Sequence, residues 1–343
     1  MSTVVVTGGA GYVGSHAVKA LAEAGADVVV YDDLSAGHAT AIERLAAAFP
    51  ARAISLVQGD ILDTARLRQT LESSGASAVM HFAARLSVGE SVREPAGYYR
   101  TNVSGALSVL GAMAEAGVRR FVFSSTAATF GEPQTTPIDE GHRQVPINTY
   151  GETKLAVERA LPHFERAHGI GWVVLRYFNA AGADPAGLIG EDHEPEEHLI
   201  PRAIAAALGG EPLVVFGDDY QTPDGTCLRD YVHVADLASA HVQALRRLEA
   251  GGASAAYNLG NGTGMSVRQI IDAVRRATGR DVPHRIGERR AGDPERLVAS
   301  NEKARRELGW EPRFGAVDAI VETAWQWHAA HPRGYAESKQ GTY

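Results

Sequence analysis

Over the first 180 residues, short runs of β-branched and other apolar side chains alternate with longer stretches of helical periodicity. Residues 3–7, 27–32, 53–58, 78–82, 120–124 and 171–177 are nearly continuous in apolar character, the pattern of strands covered on both faces. Between them lie amphipathic stretches such as YVGSHAVKALAEAG (12–25) and ALSVLGAMAEAGV (106–118), each with a glycine at or next to its end in the position of a C-terminal cap. Such alternation predicts an α/β fold, a Rossmann-type doubly wound parallel sheet. After residue 179 the texture changes. AAGADPAGLIGEDHEPEEH is rich in Gly, Pro and acid and reads as a loop entering a second, smaller region; RDYVHVADLASAHVQALRRLEA and AAYNLGNG then resume a helix–strand pattern. The expected organisation is a main domain over 1–180 rejoined by 231–262, a smaller C-terminal α/β domain from 181–230 and 263–330, and a tail over 331–343.

Composition narrows the function. A hydrophobic content of 45% in a chain of 343 residues is enough for a sizeable core. The net charge of −8 argues against a nucleic-acid partner, which requires a basic face. The single cysteine, Cys227, excludes an intrachain disulfide and a Cys-rich zinc site. No apolar stretch approaches the ~20 residues that span a bilayer, and the N-terminus enters TVVVTGG without a signal-peptide pattern. A cytoplasmic protein with no membrane partner is expected. No metal ligands are assigned.

VVVTGGAGYVGSH places Gly8, Gly11 and Gly14 three apart, after the first strand and opening the first helix. Gly8 suits a tight turn, Gly11 a close backbone approach to a pyrophosphate, and Gly14 close helix–strand packing. The helix N-terminus then presents N–H groups and a positive dipole end to phosphate. The spacing is G-x-x-G-x-x-G rather than G-x-G-x-x-G, so its weight comes from the strand–turn–helix context and from an acid ending the second strand. Asp32, or its neighbour Asp33, is placed to bond adenosine ribose hydroxyls and to repel a 2′-phosphate, which favours NAD over NADP; the plainer reading is a turn cap. Asp60, in GDILD, either approaches the adenine or caps the next helix.

In PINTYGETKLAVE, Tyr150 and Lys154 lie one helical turn apart on one face. An ammonium near a phenol lowers its pKa, which suits a general base near neutral pH. Taken alone, the pair also fits ordinary helix surface. Two neighbours favour chemistry: FVFSSTAATFG ends a strand in Ser124, Ser125 and Thr126, and VVLRYFNAAG ends another at the same sheet edge, where such folds bind ligands.

These segments, together with HFAARLSVGESVREP, FGDDYQTPDGTCLRDYVHVADLA, YNLGNG and RRAGDP, cover the chain from Val6 to about Trp327. They resemble the extended short-chain dehydrogenase/reductase family, and within it the nucleotide-sugar 4-epimerases that act on UDP-glucose and UDP-galactose. The resemblance implies C4 oxidation of the sugar to a 4-keto form and reduction on the opposite face. Tyr150 would take the proton of the 4-hydroxyl, Lys154 would lower the tyrosine pKa and bond the nicotinamide ribose, and Thr126 would bond the same hydroxyl. It extends the NAD contacts from Gly8, Gly11, Gly14, Asp32, Asp33 and Asp60 to Tyr12, Val13, Ile61, Phe82, Ala83, Ala84, Asn102 and Tyr177. On the substrate side it implies Phe178, Asn179, Leu199, Val214, Phe216, Arg229, Arg290 and Asp293, with Asn179, Arg229 and Arg290 at the diphosphate and Asp293 at the nucleotide ribose. An arginine fork suits phosphate, although Arg229 and Arg290 also fit surface ion pairs with Asp230 or Asp293.

The chain departs from the family pattern at three places. Leu86 stands where a lysine approaches the cofactor, with Arg85 one residue earlier. His198 replaces an asparagine at the substrate phosphate, either as a donor or as a solvated loop histidine. Leu297 stands at the position that gates the sugar 2-substituent, where a smaller side chain predicts tolerance of UDP-N-acetylhexosamines. UDP-pentoses and dTDP-sugars also stay open as substrates. Two rival activities are weighed. A nucleotide-sugar 4,6-dehydratase needs an Asp-Glu pair where this chain has Ala127 and Ala128, and a decarboxylase wants a dedicated cation that the sequence does not indicate. A non-catalytic NAD-sensing protein is opposed by the intact Thr126, Tyr150 and Lys154. A homodimer built on helices around 95–117 and 150–169 is implied, with Leu107, Leu110 and Leu161 facing either a partner or their own core.

Overall fold

The computed structural model describes residues 2–289 and 294–336. Seven strands form the central sheet: β1 (Val4–Thr7), β2 (Val28–Asp32), β3 (Ile54–Gln58), β4 (Ala78–His81), β5 (Arg120–Thr126), β6 (Gly171–Tyr177) and β7 (Ala255–Leu259), in the order β7-β6-β5-β4-β1-β2-β3. Every neighbouring pair is parallel. The chain leaves β1 toward β2 and β3, then crosses to β4 on the other side, so the switch point lies between β1 and β4.

The apolar runs follow from burial on both faces. Val4, Val6, Val28 and Val30 point into a cluster completed by Ala17, Val18 and Leu21 of the helix Tyr12–Glu23 and by Leu237 and Leu245 of Val234–Glu249. Val5, Val79, Phe121 and Phe123 point the opposite way, against Leu110 and Met113 of Gly105–Ala116 and Val157 and Leu161 of Thr149–His168. Strand boundaries agree with the sequence reading to within one or two residues. The largest difference is at β5, which runs on through Ser125 and Thr126, because those hydroxyls find partners inside the protein.

The other wall is assembled from short pieces. Tyr231–His233 pairs with Asn179–Ala181, Leu213–Phe216 pairs with His284–Gly287, and Leu228–Arg229 lies between Met265–Ser266 and Arg296–Leu297. Helices Leu199–Ala207, Val267–Thr278 and Val317–Ala330 pack beside them around Ile200, Ile204, Ile271, Val274 and Ile320. Ser266 and Gln269 form a reciprocal capping box at the start of Val267–Thr278.

Leu110 and Leu161 are fully buried in their own core and face no partner; only Leu107 of the three apolar residues is exposed, at 38%. Among the described residues no helix is long and apolar enough to cross a membrane.

Candidate active site

The glycine loop lies at the switch point. Gly8 has φ +72°, and a Cβ there would sit 2.3 Å from the Ala83 backbone nitrogen. At Gly14 a Cβ would meet the Gly8 carbonyl at 2.1 Å, so the first helix can pack onto the loop only without a side chain. Gly11 differs: the nearest protein atom to a Cβ would be the Gly8 carbonyl at 3.4 Å, and the residue faces open space. Gly11 is also the N-cap of Tyr12–Glu23, with no side-chain cap and no acid in the first turn. The N–H groups of Tyr12, Val13 and Gly14 thus open a helix end ready for an anion.

The Asp32 carboxylate accepts hydrogen bonds from Ala10 N and Leu34 N, each 2.9 Å, tying the end of β2 to the glycine loop. Burial raises its pKa, opposed by these two bonds. Asp33 caps its own turn, accepting from Ser35 N and Oγ. Asp60 likewise closes a turn onto Leu62 N, and the cap of the following helix is Asp63. Ile61 and Phe82 are buried, while Ala83 and Ala84 are partly exposed beside Gly8. Asn102, carried by a widened π turn over Tyr99–Ser104, accepts from Arg85 N at 2.8 Å and donates to Arg85 O and Thr153 Oγ1. Both its N–H donors are thereby used, so Asn102 clamps the chain after β4. Arg85 turns to Glu90 and over the Tyr98 ring, and Leu86 is 51% exposed.

Tyr150 and Lys154 stand at the start of Thr149–His168, capped by Asn148 Oδ1 on Gly151 N. Tyr150 faces Thr126, at the C-terminal end of β5, closely enough for the threonine hydroxyl to act on the phenol. Lys154 is 2% exposed; its Nζ donates to the Ser124 carbonyl at 3.0 Å and lies 5.0 Å from the Phe123 ring centroid. The expected lowering of the tyrosine pKa by this ammonium is not found. Burial pushes Tyr150 up to about 12, with only the Thr126 bond acting downward. Lys154 turns its Nζ to the Ser124 carbonyl, and burial brings it down to about 7 against the pull of Glu158. Tyr177 is also raised by burial, and its hydroxyl bonds Ser124 Oγ.

Glu158 was not singled out from the sequence, although it continues the face of Tyr150 and Lys154 by one further turn. Its carboxylate takes Arg176 Nε at 3.1 Å and Nη2 at 2.7 Å, the Ser125 hydroxyl, and Gln144 Nε2 at 3.0 Å. This buried network fixes the helix against β5 and β6.

On the substrate side, a cavity of about 200 Å³ is lined by Asn179, His198, Leu199, Val214, Phe216 and Arg229, with Glu191 and Tyr231. Asn179 is held by Asp230 O, which accepts from its N and Nδ2, and Arg229 Nη1 donates to Leu228 O at 2.8 Å. The Asp230 carboxylate, between the cavity-lining Arg229 and Tyr231, accepts from Asn261 N, Gly262 N and Ala299 N, pinning two segments together. Phe178 and Leu297 do not line this cavity; they pack against Ala127, Phe130 and Ile138, immediately after Thr126. A larger cleft of about 490 Å³ is bordered by Thr263, Met265 and Val317 and contains none of the expected site residues. Arg290 and Asp293 lie outside the described residues. His198 lines the cavity with its side chain half exposed, and its Nδ1 meets Glu191 and Glu196 at 2.8 and 3.0 Å. Burial alone would lower it, and the two carboxylates carry it to about 10. Glu191, His193 and Glu196 complete a cluster that went unassigned in the sequence; its signal there is the E-x-H-x-x-E-x-H spacing.

Residues 4–260 match the pattern of the NAD dependent epimerase/dehydratase family. A UDP-glucose 4-epimerase from Halalkalibacterium halodurans is 49% identical over 334 residues, 97% of each chain. The crystal structure of UDP-glucose 4-epimerase from Brucella ovis in complex with NAD superposes with a TM-score of 0.90 at 49% identity, covering 95% of this chain and 98% of that one. A UDP-glucose-4-epimerase from Stenotrophomonas maltophila with bound NAD and formylated UDP-arabinopyranose gives 0.93 at 42% identity, over 96% and 99% of the two chains.

Proposed function

The chain belongs to the NAD dependent epimerase/dehydratase family, and on that premise we propose that it interconverts UDP-glucose and UDP-galactose by inverting C4 of the hexose. The enzyme is an NAD-dependent isomerase. The observation that carries this reading is that Tyr150 and Thr126 face each other at the edge of β5, with Lys154 buried one helical turn on and its Nζ on the Ser124 carbonyl.

The loop fits NAD on this chain's own geometry: an uncapped helix N-terminus without acids, a glycine facing open space, and a buried carboxylate at the end of β2. Gly8, Gly11, Tyr12, Val13 and Gly14 would hold the pyrophosphate, Asp32 the adenosine ribose, and Lys154 the nicotinamide ribose. Bound NAD supplies a hydride acceptor that later returns the hydride. The chain's own part is to move the proton. Thr126 orients the sugar 4-hydroxyl, Tyr150 takes its proton as C4 is oxidised, and Tyr150 gives it back after the 4-keto sugar has turned over. Because burial favours the neutral phenol, ionisation at Tyr150 needs positive charge beside it. Lys154 supplies that charge when protonated.

Asn179 and Arg229 would grip the diphosphate and Phe216 the base, holding the nucleotide while the hexose turns. The residues after Thr126 support epimerisation over dehydration, since Ala127 and Ala128 carry no acid or base. Leu297 supports a second reading, that the pocket also accepts a 2-N-acetyl group: it packs beside Ala127, next to the reacting hydroxyl. The single cysteine is buried, in keeping with a cytoplasmic enzyme. A homodimer is supported by the exposed Leu86, Val88, Val92, Tyr99 and Leu107, which gather on and before the helical segment 95–116. The direct test is to denature the purified protein, assay released NAD, and follow UDP-galactose and UDP-N-acetylglucosamine by NMR. C4 inversion of the first with NAD recovered from the protein is expected; NAD without inversion of any nucleotide sugar would overturn the reading.

A further inference from the structure

Between the strand Asn179–Ala181 and the helix Leu199–Ala207, four side chains converge: Glu191, His193, Glu196 and His198. One ligand atom from each lies within 4.8 Å of all the others. Glu191 Oε1 is 3.2 Å from His193 Nδ1 and 2.8 Å from His198 Nδ1; Glu196 Oε1 is 3.0 Å from His198 Nδ1, and its Oε2 is 3.7 Å from His193 Nδ1. A tetrahedral ion with bonds of ~2.0–2.1 Å to nitrogen and oxygen holds its ligands ~3.3–3.4 Å apart. The Glu191 Oε1 to His193, Glu191 Oε1 to His198 and Glu196 Oε1 to His198 separations, 3.2, 2.8 and 3.0 Å, lie somewhat inside that edge length, so an ion would spread the ligands slightly.

A second observation separates this cluster from an ordinary ion-pair knot. Glu191 Oε1 and His193 Nδ1 are both buried, and neither makes a hydrogen bond of good geometry, although they lie 3.2 Å apart and His198 Nδ1 stands 2.8 Å from the same oxygen. The Glu191 side chain is 3% exposed. Buried polar atoms are nearly always paired. Outer contacts hold the frame: the Trp327 indole donates to Glu191 O at 2.9 Å, His198 N donates to Glu196 Oε1 at 2.7 Å, and Tyr12 meets the His193 ring edge-on at 6.0 Å.

We propose that Glu191, His193, Glu196 and His198 bind a divalent transition-metal ion of the zinc class. Two imidazoles rule against magnesium and calcium, which want oxygen ligands throughout. The absence of thiolate from the set rules against soft Cu(I), and an N₂O₂ tetrahedron suits Zn²⁺ with Co²⁺ as a faithful probe. Two carboxylates with two neutral imidazoles carry a charge of −2 that the ion offsets. With four protein ligands the tetrahedron is closed, so the ion is structural. Its place gives it a task. Glu191 and His198 line the 200 Å³ cavity, and His193 touches Tyr12 of the glycine loop. The ion therefore fastens the loop that walls the substrate cavity to the helix that receives the cofactor.

The test starts with the purified full-length enzyme. Metal analysis is expected to find about one zinc per chain, retained through gel filtration. After removal with dipicolinate, the apo-protein should melt at lower temperature. Added Co²⁺ should produce the visible bands of tetrahedral cobalt, saturate at one ion per chain and be displaced by zinc. Glu196→Gln and His193→Ala should weaken Co²⁺ binding about 10- to 100-fold or more, with retained NAD reporting that each variant is folded. If the metal-free wild type takes up no Co²⁺ stoichiometrically, or binds it as the variants do, the cluster is an ion-pair network and the proposal falls. Octahedral cobalt spectra, showing solvent ligands, would overturn the closed structural site.

Discussion

The two walls of the cleft are built by different means. The cofactor wall rests on a seven-stranded parallel sheet, and its decisive contacts are made by what is missing: at Gly8 and Gly14 any side chain would collide with backbone. The substrate wall rests on strand pairs two to four residues long, drawn from segments far apart in the chain, such as Leu228–Arg229 against Arg296–Leu297. Its contacts are made by side chains and by buried carboxylates that pin loops, Asp230 above all. A wall defined by steric exclusion tolerates almost no change, whereas one defined by side-chain choice can be re-specified. The same contrast runs through the histidines. Burial holds His81, on β4, and His241, on the helix Val234–Glu249 packed against the sheet, at about 3 and about 4, while carboxylates lift His193 and His198 to about 9 and about 10.

Four experiments bear on this difference. The largest effect is expected where the walls meet: Tyr150→Phe should lower kcat by roughly 10²–10⁴ while NAD stays bound, and full-rate turnover by the variant would remove the proton-transfer role. The second concerns acid. His81 and His241 have folded pKa values below the ordinary 6.5, so the unfolded chain binds more protons between pH 6.5 and about 4. Their contribution is intact above pH 6.5 and is lost as pH falls, at ~1.4 kcal/mol per pH unit for each ring. Melting temperature should drop across that window, and His241→Gln should flatten the slope; an unchanged slope would show that His241 is not buried neutral. Third, Gly14→Ala should cost ~1–3 kcal/mol through overpacking, read as a lower melting temperature and a fraction of molecules without NAD. Smallest, Leu297→Tyr should leave UDP-galactose turnover nearly intact and lower kcat/KM for UDP-N-acetylglucosamine by roughly tenfold or more. If Leu297→Tyr destabilised the fold as much as Gly14→Ala, the two walls would not differ as described.

The cofactor wall was largely legible in the sequence because its signals are local. β6 coincides with residues 171–177, and the glycine spacing placed Gly8, Gly11 and Gly14 in one loop. What escaped depends on direction and on distant partners. Lys154 was placed near Tyr150 by helical spacing, but spacing cannot reveal that its ammonium reaches the Ser124 carbonyl and loses charge to burial. The donors of Asn102 hold Arg85 O and Thr153, partners that its local sequence does not indicate. The register of Arg296–Leu297 on Leu228–Arg229 has no trace in either segment alone. Glu158 and the Glu191–His198 cluster show the opposite case. Their spacing is plain in the chain, and only the fold tells which charged residues are buried together.

The edge strand β7 and the helix Val234–Glu249 have a consequence for how the protein is made. Both belong to the central sheet layer, yet both are encoded after most of the cavity-lining segments. Until residue 259 has been synthesised, β6 is an open edge, and the layer formed by Val4, Val6, Val28 and Val30 lacks the cover of Leu237 and Leu245. At ~5–20 residues per second, that interval after β6 lasts on the order of ten seconds. The nascent chain therefore passes through a stage in which its oldest strands are sticky on one face. Until then that face is covered only by Ala17, Val18 and Leu21 of the first helix, and a chain stopped between β6 and β7 leaves the β6 edge unpaired.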